Sequence, residues 1–289
     1  MHNVLFFIYG LLSLVKRKDL WRALVMVSAF TAFMLAGAVR AAAEEELLPD
    51  KFMIRLGGFH AQNADTVMRL DSNNLPIGTY IDFHDTLGGD NQTTVFRTDG
   101  LYRFNDKHGL GFSWYALRFS GSKVLGQNIE WGGNFVPQGQ TVDSELKFDI
   151  YKINYQYSVY HNDKVELGAS AGLHIMRVSA SINSANLIGS QSEAVTAPLP
   201  EFGLFANYNV TPRFSVFYNY QWFFINYEDK VRGGLQDFLF GLEYRAFRNV
   251  ALGVAYNRFG MNLKIQKDPT TLYLNTNWNG GMLYGALYF

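Results

Sequence analysis

Alternation of apolar and polar residues with a period of two restricts the fold of this chain more than any other feature of its sequence. In residues 214–224 (FSVFYNYQWFF) every second residue is apolar, and these are Phe214, Val216, Tyr218, Tyr220, Trp222 and Phe224. Residues 151–159 and 238–246 repeat the pattern. Because successive side chains of a β-strand point to opposite faces, each segment is predicted to be a strand with one apolar face.

The second face of these strands separates two all-β folds. It carries small, polar or charged residues such as Lys152, Gln156, Glu243 and Arg245. A soluble sandwich would bury the aromatic residues and expose the charges to water, whereas a membrane barrel turns its apolar face to lipid and its polar face inward. The aromatic enrichment of one face favours the barrel, and after Lys51 no stretch approaches the 18 or so apolar residues of a spanning helix.

Connection lengths predict how many strands the barrel has. Short turns at 105–109, 160–164, 210–213 and 246–249 alternate with longer connections, as periplasmic turns and extracellular loops do in outer-membrane barrels. The longer connections are predicted at 63–93, 121–140, 180–197, 228–233 and 266–271. The ten predicted strands are 51–62, 94–104, 108–120, 142–159, 164–179, 199–209, 213–227, 235–246, 249–265 and 272–289.

The predicted fold is thus a single closed antiparallel transmembrane β-barrel. Eight or twelve strands are the alternatives, because 66–71 and 79–86 could pair as a separate hairpin. Pro198 and Pro200 are expected at the outer rim of the sixth strand, since proline cannot sit inside a continuous ladder.

The N-terminal residues have the order of a secretory signal peptide. Basic residues precede an apolar run at 23–39, and a short alanine stretch at 41–43 follows as a cleavage site. We therefore predict a signal peptide at 1–43 and a barrel domain at 44–289. An uncleaved membrane anchor is the alternative, because 3–15 are also apolar, and a start codon placed too far upstream would explain the length of the leader.

Charge and cysteine content exclude several classes of function. The whole chain has 25 basic and 25 acidic residues, and removal of a leader with five basic and one acidic residue leaves a net charge of −4. A mildly acidic chain is not typical of nucleic-acid binding. The absence of cysteine rules out disulfides and thiolate metal sites. No cofactor is predicted.

The C-terminal segment GGMLYGALYF predicts how the barrel closes. Its last strand should pair with the first, with Leu283, Leu287 and Phe289 facing lipid. A terminal Phe after alternating apolar residues resembles the assembly signal of bacterial outer-membrane proteins, although Gly285 stands where a larger apolar residue is usual. With the leader and the alternation, the whole chain resembles small outer-membrane barrels of the OmpW- and OmpX-like kind. The resemblance implies a location in the bacterial outer membrane and contact with the barrel-assembly machinery.

Nine charged residues are predicted to line the lumen: Arg55, Arg97, Asp99, Arg103, Lys152, Glu166, Glu201, Glu243 and Arg245. A ten-stranded barrel is little wider than one that its own side chains fill, and unpaired buried charges are costly. We expect these residues to form ion pairs that plug the lumen. A polar path for a small solute is the alternative.

No catalytic or metal site is predicted. His174 and Ser170 share the inward face but lie about 13 Å apart along their strand, too far for a nucleophile and its base. His108 and His161 fall in predicted periplasmic turns. His84 neighbours Asp82, Asp85 and Asp90, but their spacing matches no defined cation site, and a solvated acidic loop is the simpler interpretation.

Four cations are predicted on the lipid-facing parity at the outer ends of their strands: Arg118, Lys147, Arg177 and Arg258. Charge on this face is costly at mid-membrane and nearly free at the interface. The first three belong to adjacent strands and are predicted to contact the phosphates of lipopolysaccharide. Snorkelling of isolated cations is the alternative.

The sequence therefore predicts a barrel with a structural or surface-interaction role and a largely plugged lumen. The alternative is a narrow channel or lateral-diffusion path for small solutes. An enzyme at the rim that modifies lipid or peptide is the third hypothesis. Outer-membrane lipid and lipopolysaccharide are the expected partners, nucleic acid is not, and no external ligand is identified.

Overall fold

The computed structural model describes most of the chain after the predicted signal peptide. The described ranges are 51–72, 79–131, 134–184, 191–227, 230–267 and 270–289. The predicted signal peptide at 1–43 lies outside these ranges. The described residues include no helix long and apolar enough to cross a membrane.

Thirteen strands are described, and ten of them form one closed antiparallel barrel. The strands are β1 (Phe52–Ser72), β2 (Ile81–Asp82), β3 (Thr93–Arg103), β4 (His108–Val124), β5 (Ile129–Trp131), β6 (Asn134–Val136), β7 (Thr141–His161), β8 (Val165–Ser184), β9 (Gln191–Asn209), β10 (Phe214–Tyr227), β11 (Val231–Arg245), β12 (Val250–Lys267) and β13 (Thr270–Tyr288). The barrel runs β1, β3, β4 and β7 to β13, and β13 pairs back onto β1. The predicted fold class and strand number are confirmed.

The barrel closes where the sequence predicts. Met53 of β1 lies opposite Tyr288 of β13, and Phe52 and Phe289 exchange two backbone hydrogen bonds of 2.9 and 2.8 Å. Leu283 and Phe289 are exposed on the outer face. Recognition of Leu283, Leu287 and Phe289 by the barrel-assembly machinery stays a prediction.

The two ends of the barrel differ. Short turns join β3 to β4, β7 to β8, β9 to β10 and β11 to β12 at one end, which we call the turn end. At the other, the loop end, residues 79–92 and 125–140 fold back with β2 and with the β5–β6 hairpin. Ile81, Phe83, Leu125, Ile129 and Val136 from these loops are buried in the same apolar core as the barrel interior.

The apolar face of the strands changes sides part of the way along the barrel. In β7, Tyr151, Ile153, Tyr155 and Tyr157 are exposed on the outer face, whereas Leu146, Phe148 and Ile150 are buried inside. In β4 the change falls between Trp114, which faces outward, and Tyr115, which is buried. Comparable changes follow Ile175 in β8 and Tyr256 in β12, whereas in β10 the outward apolar residues continue to Phe224. We call this position the switch level, and we call the parts towards the turn end and the loop end the membrane segment and the outer segment.

A change of solvent explains the switch. Below it the outside of the barrel is apolar, as lipid requires. Above it the outer face of β7 carries Asp143, Glu145, Lys147 and Asp149, and the apolar side chains turn inward as in a water-soluble barrel. At 3.3 Å per residue and a tilt of about 40°, the 21 residues of β7 rise about 50 Å, twice the roughly 25 Å of an apolar band.

The strands therefore extend further than predicted. Residues 180–184, 191–197, 231–233, 266–267 and 270–271 were expected in loops and belong to strands. The connections at 228–233 and 266–271 are consequently short, not long. The ladder hydrogen bonds continue above the switch level although the outward apolar pattern stops there, and this is why the pattern ended the predicted strands too early.

A β-bulge explains the largest disagreement. The register of β1 against β13 shifts between Gln62 and Asp65, and Asn63 has a positive φ of 51°. The extra residue reverses which parity of β1 faces inward, and the alternation therefore breaks at Asn63. Asparagine tolerates a positive φ better than most residues do. Residues 66–72, predicted in a loop, continue β1 up to Ser72. Residues 67 and 68 do pair with β2, but the same part of β1 also pairs with β13 in the barrel wall. The predicted separate hairpin is therefore wrong, and the number of barrel strands stays ten.

The two prolines lie beside an interrupted part of the barrel wall. β9 pairs with β10 only from Asn209 to Phe202, and above Phe202 the described part of β9 pairs with β8 alone. Residues 223–227 of β10 likewise pair only with β11. Pro198 and Pro200 lie opposite Ile175 and Leu173 of β8, at the switch level and inside β9, not at the outer rim as predicted. Proline is tolerated there because a free edge needs no N–H donor. We call these unpaired edges, 191–201 and 223–227, the notch.

The orientation of the barrel gives a first test. An epitope inserted at Gly139, in the exposed turn that follows β6, should be labelled by antibody on intact cells because it lies at the loop end. The matched insertion at Asp163, in the exposed turn between β7 and β8, should be labelled only after the outer membrane is permeabilised. Labelling of Asp163 and not of Gly139 on intact cells would reverse the orientation.

Candidate functional site

The candidate site is the polar interior of the membrane segment. The strands direct all nine predicted lumen charges inward, and seven of them line one cavity of about 1100 Å³. The other two, Glu201 and Glu243, lie in contact with residues that do. Residues of the turn end, such as Asn105, Asp163 and Pro212, also line the cavity, so its mouth is at that end.

Asp237 is the centre of a buried hydrogen-bonded network. Its Oδ2 lies 2.7 Å from Nζ of Lys152, and its Oδ1 accepts a 2.6 Å hydrogen bond from the side-chain amide of Asn257. Gln221 also accepts a hydrogen bond from Lys152. These four residues come from β11, β7, β12 and β10, and all are at least nine-tenths buried. The network therefore joins strands on different sides of the barrel.

Arg97 continues this network to β3 and β4. Its Nη1 donates a 2.9 Å hydrogen bond to Asn257, while Nε and Nη2 each donate to Asp99 at 3.0 Å. Asp99 accepts a further hydrogen bond from Ser113. The guanidinium carbon lies 4.6 Å from the ring centroid of Tyr115, so a π face covers part of a cation that is only 2% exposed.

Two further ion pairs lie nearer the turn end. Arg103 donates two hydrogen bonds of 2.6 and 2.7 Å to Glu166, the bidentate geometry that arginine and carboxylate favour. Arg55 donates from Nε to Glu243 at 2.9 Å. Arg245 lies over the ring of Tyr288 at 3.8 Å. Three of the predicted lumen cations, Arg55, Arg97 and Arg103, are thus paired with predicted lumen carboxylates.

Glu201 is held less tightly than the other carboxylates. It is 1% exposed, lies 3.9 Å from Nζ of Lys152 and 3.6 Å from Nδ1 of His174, and neither of its oxygens has a hydrogen bond in the described structure. The central cluster sets three carboxylates, those of Asp99, Asp237 and Glu201, against two cations.

Sequence reasoning missed Asp237, Gln221 and Asn257, which complete the network. The signal was present, because Asp237 shares the inward parity of Glu243 and Arg245 on β11. Asn257 and Gln221 are uncharged, and the sequence of their own strands does not distinguish a polar residue that bridges two charges from one that faces water.

An aromatic layer lies directly above the polar network. The rings of Phe259 and Trp278 stack with centroids 4.1 Å apart, Phe148 packs on Trp278 at 5.4 Å, and His174 stacks on Phe259 at 5.5 Å. Phe59, at 0% exposed, belongs to the same core. The expectation of a small and polar interior is therefore wrong for the outer segment, where water outside the barrel forces the large apolar residues inside.

The remaining candidate residues lie apart from the lumen network. Arg118, Lys147, Arg177 and Arg258 all face outward just above the switch level. Arg118 pairs with Asp149 at 3.1 Å, and Lys147 with Glu145 at 2.6 Å. Arg118 and Lys147 are direct cross-strand partners, whereas Arg258 lies on β12, away from the other three.

The histidines are held by ordinary structural contacts. His84 shares a 2.6 Å hydrogen bond with the carbonyl of Gly89, His161 one of 2.8 Å with the carbonyl of Asp106, and His108 one with Tyr155. Ser170 and His174 are both buried inside the barrel. Across the described residues, no group of three or more His, Asp or Glu is arranged to hold a metal ion.

Comparison with known proteins supports the fold. No protein-family model matches the chain, and no curated protein matches it in sequence. Among solved structures, the outer membrane protease OmpT from Escherichia coli superposes with a TM-score of 0.52 at 11% identity, covering 86% of this chain and 100% of OmpT.

Two further outer-membrane barrels superpose less well. OprG from Pseudomonas aeruginosa has a TM-score of 0.37 at 11% identity and covers 82% of this chain and 95% of OprG. Ail of Yersinia pestis has a TM-score of 0.32 at 13% identity and covers 81% of this chain and 99% of Ail. The likeness to OmpT is one of fold alone: the chain folds as an outer-membrane β-barrel.

The network makes a quantitative prediction about Asp237. Its replacement by alanine leaves the buried ammonium of Lys152 without its ion-pair partner. The free energy of unfolding, measured with urea in detergent, should fall by about 3–5 kcal/mol. The double variant Lys152→Met/Asp237→Leu removes both charges and should recover most of that loss. Asp106→Ala, in an exposed turn, is the control. Equal stability of Asp237→Ala and Asp106→Ala would mean that the network contributes nothing.

Proposed function

We propose that this protein is an integral protein of the bacterial outer membrane whose barrel does not conduct solutes and whose outer segment serves a structural or surface-interaction role. The aromatic layer carries this proposal. A water-filled pore needs a continuous polar path. The packed rings of Phe148, Phe259 and Trp278 interrupt such a path, and each of the three side chains is at most 1% exposed.

The position of the barrel in the membrane follows from its surface. The exposed aromatic residues of the membrane segment form the lipid-facing band, and the charged face of the outer segment lies in water. With the short turns in the periplasm, the outer segment and its loops extend beyond the cell surface. These loops offer the environment a folded surface on a rigid barrel, the arrangement in which loops commonly carry binding functions.

Two further layers support closure. Above the aromatic layer, buried residues of the loops, among them Phe83, Leu125 and Ile129, cover the outer mouth. Below it, the hydrogen bond of Arg97 to Asn257 and the ion pair of Lys152 with Asp237 cross the lumen. A solute entering from the periplasm would reach the cavity and stop beneath the rings.

Planar-bilayer conductance tests closure. The purified wild-type barrel should conduct far less than a general porin. The variant Phe259→Ala/Trp278→Ala removes the stacked rings and should conduct measurably more, whereas Trp222→Ala on the lipid-facing surface should behave as wild type. A large, stable, ohmic conductance from the wild type would overturn the proposal in favour of the channel hypothesis.

The notch favours a second candidate, a lateral path for small apolar solutes. It begins at Phe202 and Trp222, at the top of the lipid-facing band, where the wall has no ladder between β9 and β10. Its outer margin carries Phe224, 72% exposed, and its inner margin carries the buried side chains of Leu199 and Phe223. Apolar side chains on both margins are what an apolar solute leaving the outer leaflet would meet.

Uptake of an apolar aromatic dye tests this candidate. Cells that make the wild-type barrel should take up the dye faster than cells without it. Leu199→Trp, which fills the inner margin of the notch, should remove that difference, while Phe240→Trp on the lipid-facing wall of β11 should not. Equal uptake with and without the barrel would exclude the lateral path.

Lipopolysaccharide is the partner we propose for Arg118, Lys147 and Arg177. Their side chains leave the outer face just above the switch level, the height of the phosphates of the outer leaflet. Arginine binds phosphate in a bidentate manner and lysine adds a point charge. Asp149 and Glu145 already pair with two of these cations, but exposed ion pairs contribute at most about 1 kcal/mol, so a phosphate can compete.

Replacement of all three cations by glutamine tests this contact. The variant Arg118→Gln/Lys147→Gln/Arg177→Gln should fold normally and co-purify with less lipopolysaccharide, and added lipopolysaccharide should raise its Tm less than that of wild type. Lys107→Gln/Arg213→Gln/Arg248→Gln removes the same charge at the turn end and is the control. Wild-type lipopolysaccharide content and Tm in the first variant would leave these residues as a solvated rim.

A further inference from the structure

The cavity of the membrane segment is more than a by-product of closure. Its volume of about 1100 Å³ is at the upper end of the range found for small-molecule sites. It is open at the turn end and extends inward to Lys152 and Asp237. Seven basic and five acidic residues line it, and two of the acidic residues, Asp106 and Asp163, belong to turns at its mouth.

The carboxylates of the cavity wall have little remaining capacity to bind a ligand. Glu166 accepts two hydrogen bonds from Arg103, one from Ser158 at 2.5 Å and one from Asn207 at 2.7 Å. Glu243, behind the wall, accepts hydrogen bonds from Arg55, from Tyr284 at 3.0 Å and from Tyr288. Glu166 and Glu243 are therefore enclosed by donors of the protein itself.

The cations are placed differently. The Arg55 side chain is 17% exposed against 3% for Glu243, and that of Arg103 is 15% exposed against 6% for Glu166. Arg55 donates to Glu243 through Nε, and in the described structure its two terminal nitrogens have no hydrogen-bond partner. In these two pairs the guanidinium is the more exposed partner, whereas in the pair of Arg97 with Asp99 the carboxylate is, at 14% against 2%. Because the lining has seven basic and five acidic residues, the net charge of the cavity is positive.

We propose that this cavity is a binding site for small oxyanions, carboxylate- or phosphate-bearing solutes that enter from the turn end, with the terminal nitrogens of Arg55 as their principal contact. Guanidinium is suited to such groups because its parallel N–H donors match two oxygens at once. Asn154, Asn207 and Asn219 line the same space and offer hydrogen bonds to the polar body of the solute, and Oδ1 of Asn219 has no partner in the described structure. The site requires only the open turn end and does not depend on closure of the outer segment.

Thiol-modification rates test the sign of the cavity's charge. The chain has no cysteine, so Asn219→Cys places a single thiol in the cavity wall. In the purified, folded barrel at low ionic strength, an anionic methanethiosulfonate should modify this thiol several-fold faster than a cationic one of similar size. The preference should shrink as salt rises to about 1 M, where the Debye length is about 3 Å. Asn249→Cys, in an exposed turn outside the cavity, should show no such preference.

Protection by ligands tests the site itself. Inorganic phosphate and succinate, tried separately, should slow modification at Asn219→Cys, and the stronger of the two identifies the preferred oxyanion. Adding Arg55→Gln, which leaves both tyrosine hydrogen bonds to Glu243 in place, should abolish that protection. If this variant does not fold, Arg55→Lys, which keeps the charge but loses the paired donors, should show weakened protection.

Three results would overturn the proposal. The first is equal or faster modification of Asn219→Cys by the cationic reagent. The second is the absence of protection by both oxyanions, and the third is protection that survives the loss of Arg55. These modification rates report on the turn end alone. A conducting wild-type barrel would therefore contradict the proposed closure without changing the rates expected for the oxyanion site.

Discussion

The interaction on which the rest of this structure depends is the backbone ladder that closes ten strands into a barrel, and these strands pass through two solvents. Closure of β13 onto β1 satisfies the backbone along the barrel wall, which the hydrocarbon of a membrane requires. The same strands then continue into water. Except at the bulges in β1 and β7, the ladder keeps its period of two, so the freedom left to the sequence is which parity is apolar. That parity changes at Trp114 and Tyr115 in β4 and at Ile150 and Tyr151 in β7.

The contents of the lumen follow from this change. In the membrane segment the large apolar residues face outward, so polar residues must fill the inside, and their charges are stable there only as hydrogen-bonded pairs. In the outer segment the apolar residues turn inward and stack as an aromatic layer. His174 marks the boundary between the two, since it lies 3.6 Å from Glu201 below and stacks on Phe259 above. The proposed closure and the proposed oxyanion cavity are the two sides of this boundary.

The membrane segment could be predicted from the sequence because one solvent rule governs it. The alternation in 151–159 and 238–246 indicated the strands, their faces and the inward charges. The switch was also readable, since Leu117 and Phe119 continue β4 on the parity opposite to Phe112 and Trp114. A lipid-facing pattern alone predicts that the strand ends there, because that criterion does not allow for a strand that continues into water.

Other features were beyond a reading by pattern. The bulge at Asn63 reverses parity through a single backbone conformation, so residues 66–72 no longer match the phase that precedes them. The notch depends on where the ladder between β9 and β10 stops, and Pro198 and Pro200 restrict this pairing without fixing its limit. The bridging role of Asn257 depends on Arg97, 160 residues away in the chain, and no local rule connects the two.

Thiol accessibility from each side of the membrane tests the central claim that the barrel is open at the turn end and closed by the aromatic layer. Single cysteines would replace Asn154, in the cavity, and Ser122, on the exposed wall of the outer segment. A maleimide too large to pass through porins should label Ser122→Cys on intact cells. It should leave Asn154→Cys unlabelled, and a small maleimide should label Asn154→Cys once the outer membrane is permeabilised. Labelling of Asn154→Cys from the outside on intact cells, at a rate close to that of Ser122→Cys, would contradict the account.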